Sequence, residues 1–275
     1  MSEKSQLLSH DRFHLSSLER EQLGSELSLA TDDLLRFLVK KAQPLARVPV
    51  SNFRVGAVGL NSAGELFLGV NLEFAGASFA QTVHAEQFLV SLSRTRSAFP
   101  LVKLAVSAPP CGHCRQFVTE FDREGELELL IADESSVKMR ELLPRAFGPG
   151  DLGVTTPFYS MPLSLEVDGD IEEAAREAAR HSYVPYSRTR AGAAVRSQSG
   201  EVYAGSALEN AAYNPALPPL QAAIITAFSE GIRPEDIREV VLCQEKGGQI
   251  NYTPQLKDLS ANLTAESVSF KTIFL

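Results

Sequence analysis

No run in this 275-residue chain is apolar for the length a membrane span requires. The first twenty residues, MSEKSQLLSHDRFHLSSLER, carry charge throughout and lack the apolar centre of a secretory signal. Dense clusters of lysine and arginine are missing as well. The formal charge of −8 gives no general attraction to a phosphate backbone. The expected partners therefore include no nucleic acid and no membrane. Cysteine is scarce: Cys111, Cys114 and Cys243. An odd number, two of them separated by only two residues, makes no disulfide framework and fits a reducing cytoplasm. Cys111 and Cys114 are then free for metal binding or redox work.

Against these absences stand an apolar fraction of 44% and a charged fraction of 22%, the balance of a folded globular protein. The length suits two domains. The chain also repeats itself. VPVSNFRVGAV from Val48 matches VPYSRTRAGAA from Val184, and GELFLGVNLEFA from Gly64 matches GEVYAGSALENA from Gly200, both at an offset of 136 residues. Pro49/Pro185, Ser51/Ser187, Arg54/Arg190, Gly56/Gly192, Gly69/Gly205 and Glu73/Glu209 coincide. We read two copies of one unit. An N-terminal extension covers 1–28, the first copy 29–150, a Gly/Pro-rich linker 151–166 and the second copy 167–275. Each copy reads as α/β. Helical periodicity covers Leu29 to Ala46, about Ala80 to Arg96, Cys111 to Phe121, Ile171 to Ser182 and Leu220 to Glu230. Hairpins are expected around NSAG and SQSGE, and strands at LVKLAVSA, ELELLIAD, REVVLC and SVSFKTIFL.

The chemistry concentrates in the first copy. In TVHAEQFLV, His84 and Glu86 are one residue apart, a spacing that puts neither on the other's helix face. In SAPPCGHCRQF, Cys111 and Cys114 would share the first turn of a helix, whose N-terminus favours thiolates. Two thiolates and the His84 imidazole would hold one zinc ion with a fourth position open. An open position lowers the pKa of a bound water to roughly 7, and Glu86 is placed to handle its protons. Other readings remain beside this one. The cysteines could form a redox pair, which would leave His84 and Glu86 without a purpose. They could be half of a closed structural site with His113 as the fourth ligand, although a residue between two ligands is awkwardly placed for that. His10, His14 and His181 suit surfaces or caps. Cys243 suits a buried strand.

His84–Ala85–Glu86 with Pro110–Cys111–Gly112–His113–Cys114 matches the H-x-E and P-C-x-x-C signature of zinc nucleobase deaminases. With GVNLEFA, LLPRAFGPGDL and ENAAYNPALPPLQAA, the chain resembles the cytidine deaminases, in the dimeric form with a catalytic and a degenerate copy, over most of 29–275. The resemblance implies a duplicated cytidine deaminase-like α/β fold, each copy a mixed sheet covered by helices in three layers. It implies Zn2+ (one per chain) held by His84, Cys111 and Cys114, with Glu86 catalytic. Asn71 and Glu73 would hold the ribose, and Phe53 and Phe147 would pack on the pyrimidine. Backbone groups of Ala85 and Pro109 would orient the base. Ala212 and Tyr213 would complete the neighbouring subunit's site in a homodimer. The implied activity is deamination of cytidine and 2′-deoxycytidine in the cytoplasm, in pyrimidine salvage. A carboxylate at Glu73 would repel a phosphate and so favour a small-molecule nucleoside. Alternatives are a deaminase acting on RNA or single-stranded DNA, and a zinc-stabilised binding protein without turnover. Asn71 and Glu73 could also be turn residues, and Phe53 and Phe147 core aromatics. Glu209 repeats Glu73 in a copy without zinc donors, which gives this glutamate a partly structural reading. Kept at 136, the offset sets Leu220, Ala222, Gly247 and Ile250 opposite His84, Glu86, Cys111 and Cys114. Arg54 and Arg190 suggest a structural ion pair or an interface.

Overall fold

A computed structural model describes residues 12–96, 100–122, 125–155, 158 and 169–275. Most of the expected linker, like residues 1–11 of the extension, lies outside them. In the first copy the order is β1 (His14–Leu15), α1 (Ser17–Leu27), α2 (Thr31–Ala42), β2 (Gly56–Asn61), β3 (Leu66–Val70), α3 (Ala85–Arg96), β4 (Leu101–Val106), α4 (Gly112–Thr119), β5 (Glu128–Ile131), β6 (Val137–Lys138) and α5 (Met139–Leu142). The second copy has α6 (Ile171–Arg180), β7 (Ala191–Ser197), β8 (Val202–Ser206), α7 (Pro219–Ser229), β9 (Ile237–Gln244), α8 (Thr253–Ala261) and β10 (Ser269–Phe274). None of the described helices is long and apolar enough to cross a membrane.

The two sheets are versions of one plan. Their strand orders are β1-β3-β2-β4-β5-β6 and β10-β9-β7-β8. In both, an antiparallel hairpin joins a third antiparallel strand, and one parallel pair follows (β4 with β5, β9 with β10). The repeat is kept to the residue here. Ala57 pairs with Val106 as Ala193 pairs with Leu242, and the register slips at Leu60/Asn61 and again at Arg196/Ser197.

The shared glycines have a steric cause. A Cβ on Gly56 would strike the backbone of Val39 on α2 and of Gln43 just past its end, and one on Gly192 the backbone of α6 at Ala178 and Ala179. On the opposite sheet face, a Cβ on Gly69 would strike α3 at Ala85 and Leu89, and one on Gly205 would strike α7 at Ala222 and Ala223. Helices thus lie on both faces of each sheet, the three layers expected from the sequence. We expect Gly205→Ala to cost about 1–3 kcal/mol, because the obstacle is backbone and cannot rotate away. A urea midpoint equal to that of the unsubstituted protein would show that α7 gives way freely.

Residues 12–28 are more than an extension. Strand β1 pairs with β3, setting His14 opposite Phe67. Phe13, Leu15 and Leu23 are buried. Ser16 and Glu19 form a reciprocal cap on α1. The two copies share a core in which α3 packs on α7 and the Phe88 and Phe228 rings meet edge to face, 6.0 Å apart.

Candidate metal centre and active site

A short antiparallel bridge builds one wall of the site. Leu72 and Val83 exchange both backbone hydrogen bonds at 2.9 Å. That bridge brings Asn71 and Glu73, on either side of Leu72, next to His84 at the start of α3. The opposite wall is the first turn of α4, where Cys111 is the N-cap and its sulfur accepts the Cys114 N–H.

Here the three expected donors converge. His84 Nδ1 lies 3.6 Å from Cys111 Sγ and 3.2 Å from Cys114 Sγ, and the sulfurs are 3.6 Å apart. A tetrahedral zinc ion with its usual bond lengths would set these separations at about 3.5–3.8 Å. Among the described residues this is the one group of three or more His, Cys, Asp or Glu side chains arranged to hold a metal. The donor chemistry also fits. The Cys114 S–H, then His84, holds the Cys111 thiol down to about 3, as an anion at a helix N-terminus. The same crowding pushes Cys114 up, chiefly through Cys111, and the Cys111 thiolate raises His84. Without a cation the trio must keep protons that a metal would displace.

The donors open onto a cavity of about 270 Å³, also lined by Ser51, Phe53, Asn71, Glu73, Ala85, Glu86 and Pro109. Glu86 is 4% exposed, and burial pushes its carboxyl up despite pulls from Cys114 and His84. Phe53 stands at the mouth, 61% exposed. Asn71 does not reach into the cavity unencumbered. Its Oδ1 accepts from the Val55 N–H at 2.8 Å and its Nδ2 donates to the Phe53 carbonyl at 2.9 Å. Glu73 accepts from the N–H groups of Val50 and Ser51, both at 2.9 Å, and from the Ser51 hydroxyl. Burial opposes its charge, but Ser51, Val50 and Arg47 together hold it below the ordinary carboxylate range. A carboxylate offers about four acceptor sites, so one stays free. Glu209 repeats this arrangement with Tyr186 and Ser187. The glutamate persists in both copies because it ties the turn after the repeated Val-Pro. Ser51 and Ser187 coincide in the repeat for the same reason, the signal that could have revealed this earlier.

Phe147, Ala212 and Tyr213 are not among the residues lining this cavity. Phe147 is exposed and its carbonyl accepts from Gln116. Tyr213, 67% exposed with φ +63°, lines a separate cavity of about 360 Å³ in the second copy. His113 is not part of the donor trio. Its ring stacks on His84 at 5.3 Å, and its Nε2 lies 3.1 Å from the Gln87 amide, a neighbour the motif reading missed. His14 stacks on Phe67 and His181 caps α6, while His10 lies outside the described residues. Arg190 pairs with Glu245, whereas Arg54 donates to the carbonyls of Pro44 and Ala46.

The constant offset of 136 fails around the second copy's counterpart site. The bridge Leu208–Leu217 stands for Leu72–Val83, so Pro218 and Leu220 occupy the places of His84 and Glu86. Helix α8 begins at Thr253 with Tyr252 as N-cap, so Tyr252 and Gln255 stand for Cys111 and Cys114. One connection is shorter and another longer than in the first copy. No donor set survives under either alignment.

Comparison with known proteins agrees with this geometry. Models described as "Cytidine and deoxycytidylate deaminase zinc-binding region" match residues 31–125 and 139–256. A cytidine deaminase of Yersinia pestis is 37% identical over 264 residues, covering 94% of this chain and 89% of that protein. One from Vibrio vulnificus is 35% identical over 241 residues, covering 86% and 82%. A crystal structure of the Mycobacterium tuberculosis cytidine deaminase aligns with 31% identity and a TM-score of 0.40 over 43% of this chain and 98% of that one. With a zinc-type donor trio beside a buried glutamate, and relatives aligned along nearly its whole length, the chain belongs to the cytidine deaminase family.

Proposed function

We propose that this chain is a zinc-dependent hydrolase that converts cytidine and 2′-deoxycytidine to uridine and 2′-deoxyuridine with release of ammonia. The observation that carries the reading is the meeting of His84, Cys111 and Cys114 with a buried Glu86 in one cavity. His84, Cys111 and Cys114 would hold the zinc ion, which would supply Lewis-acid activation of the attacking water. Glu86 accepts one proton of the attacking water and passes it to N3 of cytosine. It then takes the second proton from the new C4 hydroxyl and gives it to the amino group, so that the C4–N bond breaks, ammonia leaves and the C4 carbonyl forms. Its burial favours the protonated form and suits a carboxyl that must carry a proton between two sites. Asn71 holds the Phe53 segment through both ends of its amide, so the Phe53 ring is set to cover the pyrimidine. Glu73 keeps one acceptor site for a ribose hydroxyl. The backbone of Ala85 and Pro109 would meet the base.

The cavity favours an uncharged nucleoside. No lysine or arginine is among its lining residues, and Glu73 is held ionised there. We expect turnover of cytidine and 2′-deoxycytidine to exceed that of deoxycytidylate or a cytosine-containing oligonucleotide by at least about 100-fold, the factor for about 2.7 kcal/mol of discrimination. Ultraviolet absorbance follows the reaction. Faster turnover of the oligonucleotide would replace this reading with a nucleic-acid deaminase, and no ammonia release from any of them would leave a zinc-stabilised binding protein.

In the proposed arrangement 29–150 is the catalytic domain and 167–275 the degenerate one. The chain forms a homodimer in the cytoplasm and serves pyrimidine salvage. The exposed Phe53, Phe147 and Tyr213 support self-association, which would let Ala212 and Tyr213 complete the partner subunit's site. One donor set among the described residues of each chain gives two zinc ions per dimer. Light scattering with metal analysis checks both, and four ions per dimer would contradict the assignment of the second copy.

A further inference from the structure

The helices that carry the donors, α3 and α4, are both gripped by one loop of the second copy. On α4, the Asn210 amide donates to the Gln116 carbonyl at 3.0 Å. At the far end, the C-cap residue Glu120 accepts from the Ala211 N–H and the Tyr183 hydroxyl, each at 2.8 Å, and from the Tyr186 hydroxyl. On α3, Gln87 accepts from the His84 N–H at 3.1 Å, while its Nε2 faces His113 and donates to the Pro215 carbonyl at 3.4 Å. Glu120 is 6% exposed, and Gln87, Asn210 and Ala211 are buried with it.

The Glu120 contact is costly to build. A buried carboxyl is tolerated only where hydrogen bonds replace its water. All three of its bonds come from the second copy. An apolar side chain at this depth would seal the interface without that cost, but it would leave α4 free to slide. Three directional bonds at one end fix the helix along its axis, and Cys111 and Cys114 are at the other end. The Glu120 contact is one-sided, whereas that of Gln87 has a counterpart in the Gln221 amide on α7, which donates to the Gln81 side chain of the first copy at 2.9 Å. Counting from each N-cap, Ala261 on α8 stands where Glu120 stands on α4, and it is exposed. The helix without donors is touched by the first copy near its start, where the Gln81 amide donates to the Gln255 carbonyl at 2.9 Å, but it carries no carboxyl clamp at its far end.

We propose that the degenerate copy serves the metal centre of its own chain as a scaffold, with Glu120 the positioning residue on α4 and Gln87 that on α3. This rests on the reading of His84, Cys111 and Cys114 as the zinc site. Glu120 touches neither substrate nor metal. It acts through the position of the two sulfurs.

The test uses the full-length, zinc-loaded protein and measures zinc release to a chromogenic chelator. Glu120→Ala is expected to release zinc about 10–100-fold faster, the range for groups that support metal ligands from behind. The thiolate-to-cobalt absorption of the Co2+-substituted protein should shift as well, and kcat for cytidine should fall with KM little changed. Tyr186→Phe, which removes one hydroxyl donor and keeps the ring, should change both readouts in the same direction by less. It carries the test if Glu120→Ala does not fold. A changed urea midpoint with unchanged zinc release and cobalt spectrum would make Glu120 an interface residue only and overturn the proposal. Failure of the unsubstituted protein to hold zinc would instead overturn the metal reading on which the proposal stands.

Discussion

Replacing Glu86 with glutamine leaves one zinc ion per chain and lowers kcat for cytidine by about 10²–10⁴-fold, the usual contribution of a positioned acid–base group. The side chain keeps its shape and burial, so the metal donors feel little change. What disappears is the capacity to accept a proton. No other carboxylate lining the cavity can substitute. Glu73 has three of its acceptor sites committed to Val50 and Ser51 and is held ionised, which makes it a poor proton carrier. The expected pattern is a fall in kcat with an unchanged or lower KM, since the cavity that receives cytidine is intact. A zinc-replete Glu86→Gln protein with full turnover would remove Glu86 from the mechanism.

Cys114→Ala has the second large effect. Cys114 is buried between Cys111 and His84, and its backbone N–H also caps α4 onto the Cys111 sulfur. Without its sulfur two donors remain, too few to hold zinc against solvent and chelators. We expect gel-filtered protein to retain no stoichiometric zinc and its deaminase activity to fall to background. Its melting temperature should match that of the chelator-stripped parent, because binding free energy is lost from the folded state alone. Cysteine oxidation cannot account for such an outcome if Cys243→Ala, which alters a buried strand residue in the other copy, keeps its metal. Full zinc retention by Cys114→Ala would show that the ion, if bound, sits elsewhere.

Much of this was legible beforehand because local chemistry and tertiary need coincide. The hairpins appear where Gly64 and Gly200 take positive φ at their turns, and the helices where apolar spacing is clear. The donor trio was legible because ligand type and spacing survive any loop conformation. Other features depended on packing. Helix α8 escaped notice because its buried side, Leu256, Leu259 and Ser260, is narrow. Residues 12–28 read as polar although Phe13, Leu15 and Leu23 enter the core. A single offset could not survive connections of unequal length, which is why Pro218 and Tyr252, not Leu220 and Gly247, face the old donor positions. The satisfied carboxylates of Glu73 and Glu209 were only partly foreseen, because their partners lie about twenty residues away across a turn.

Gly56, Gly69, Gly192 and Gly205 leave bare hydrogens where main chain meets main chain. The gap between layers is therefore set by polypeptide backbones and owes little to the size of neighbouring side groups. A half built on such a spacer can exchange its reactive groups for inert ones and still hold its outline. That is how the C-terminal half could go silent chemically while remaining a mould against which its working twin is shaped.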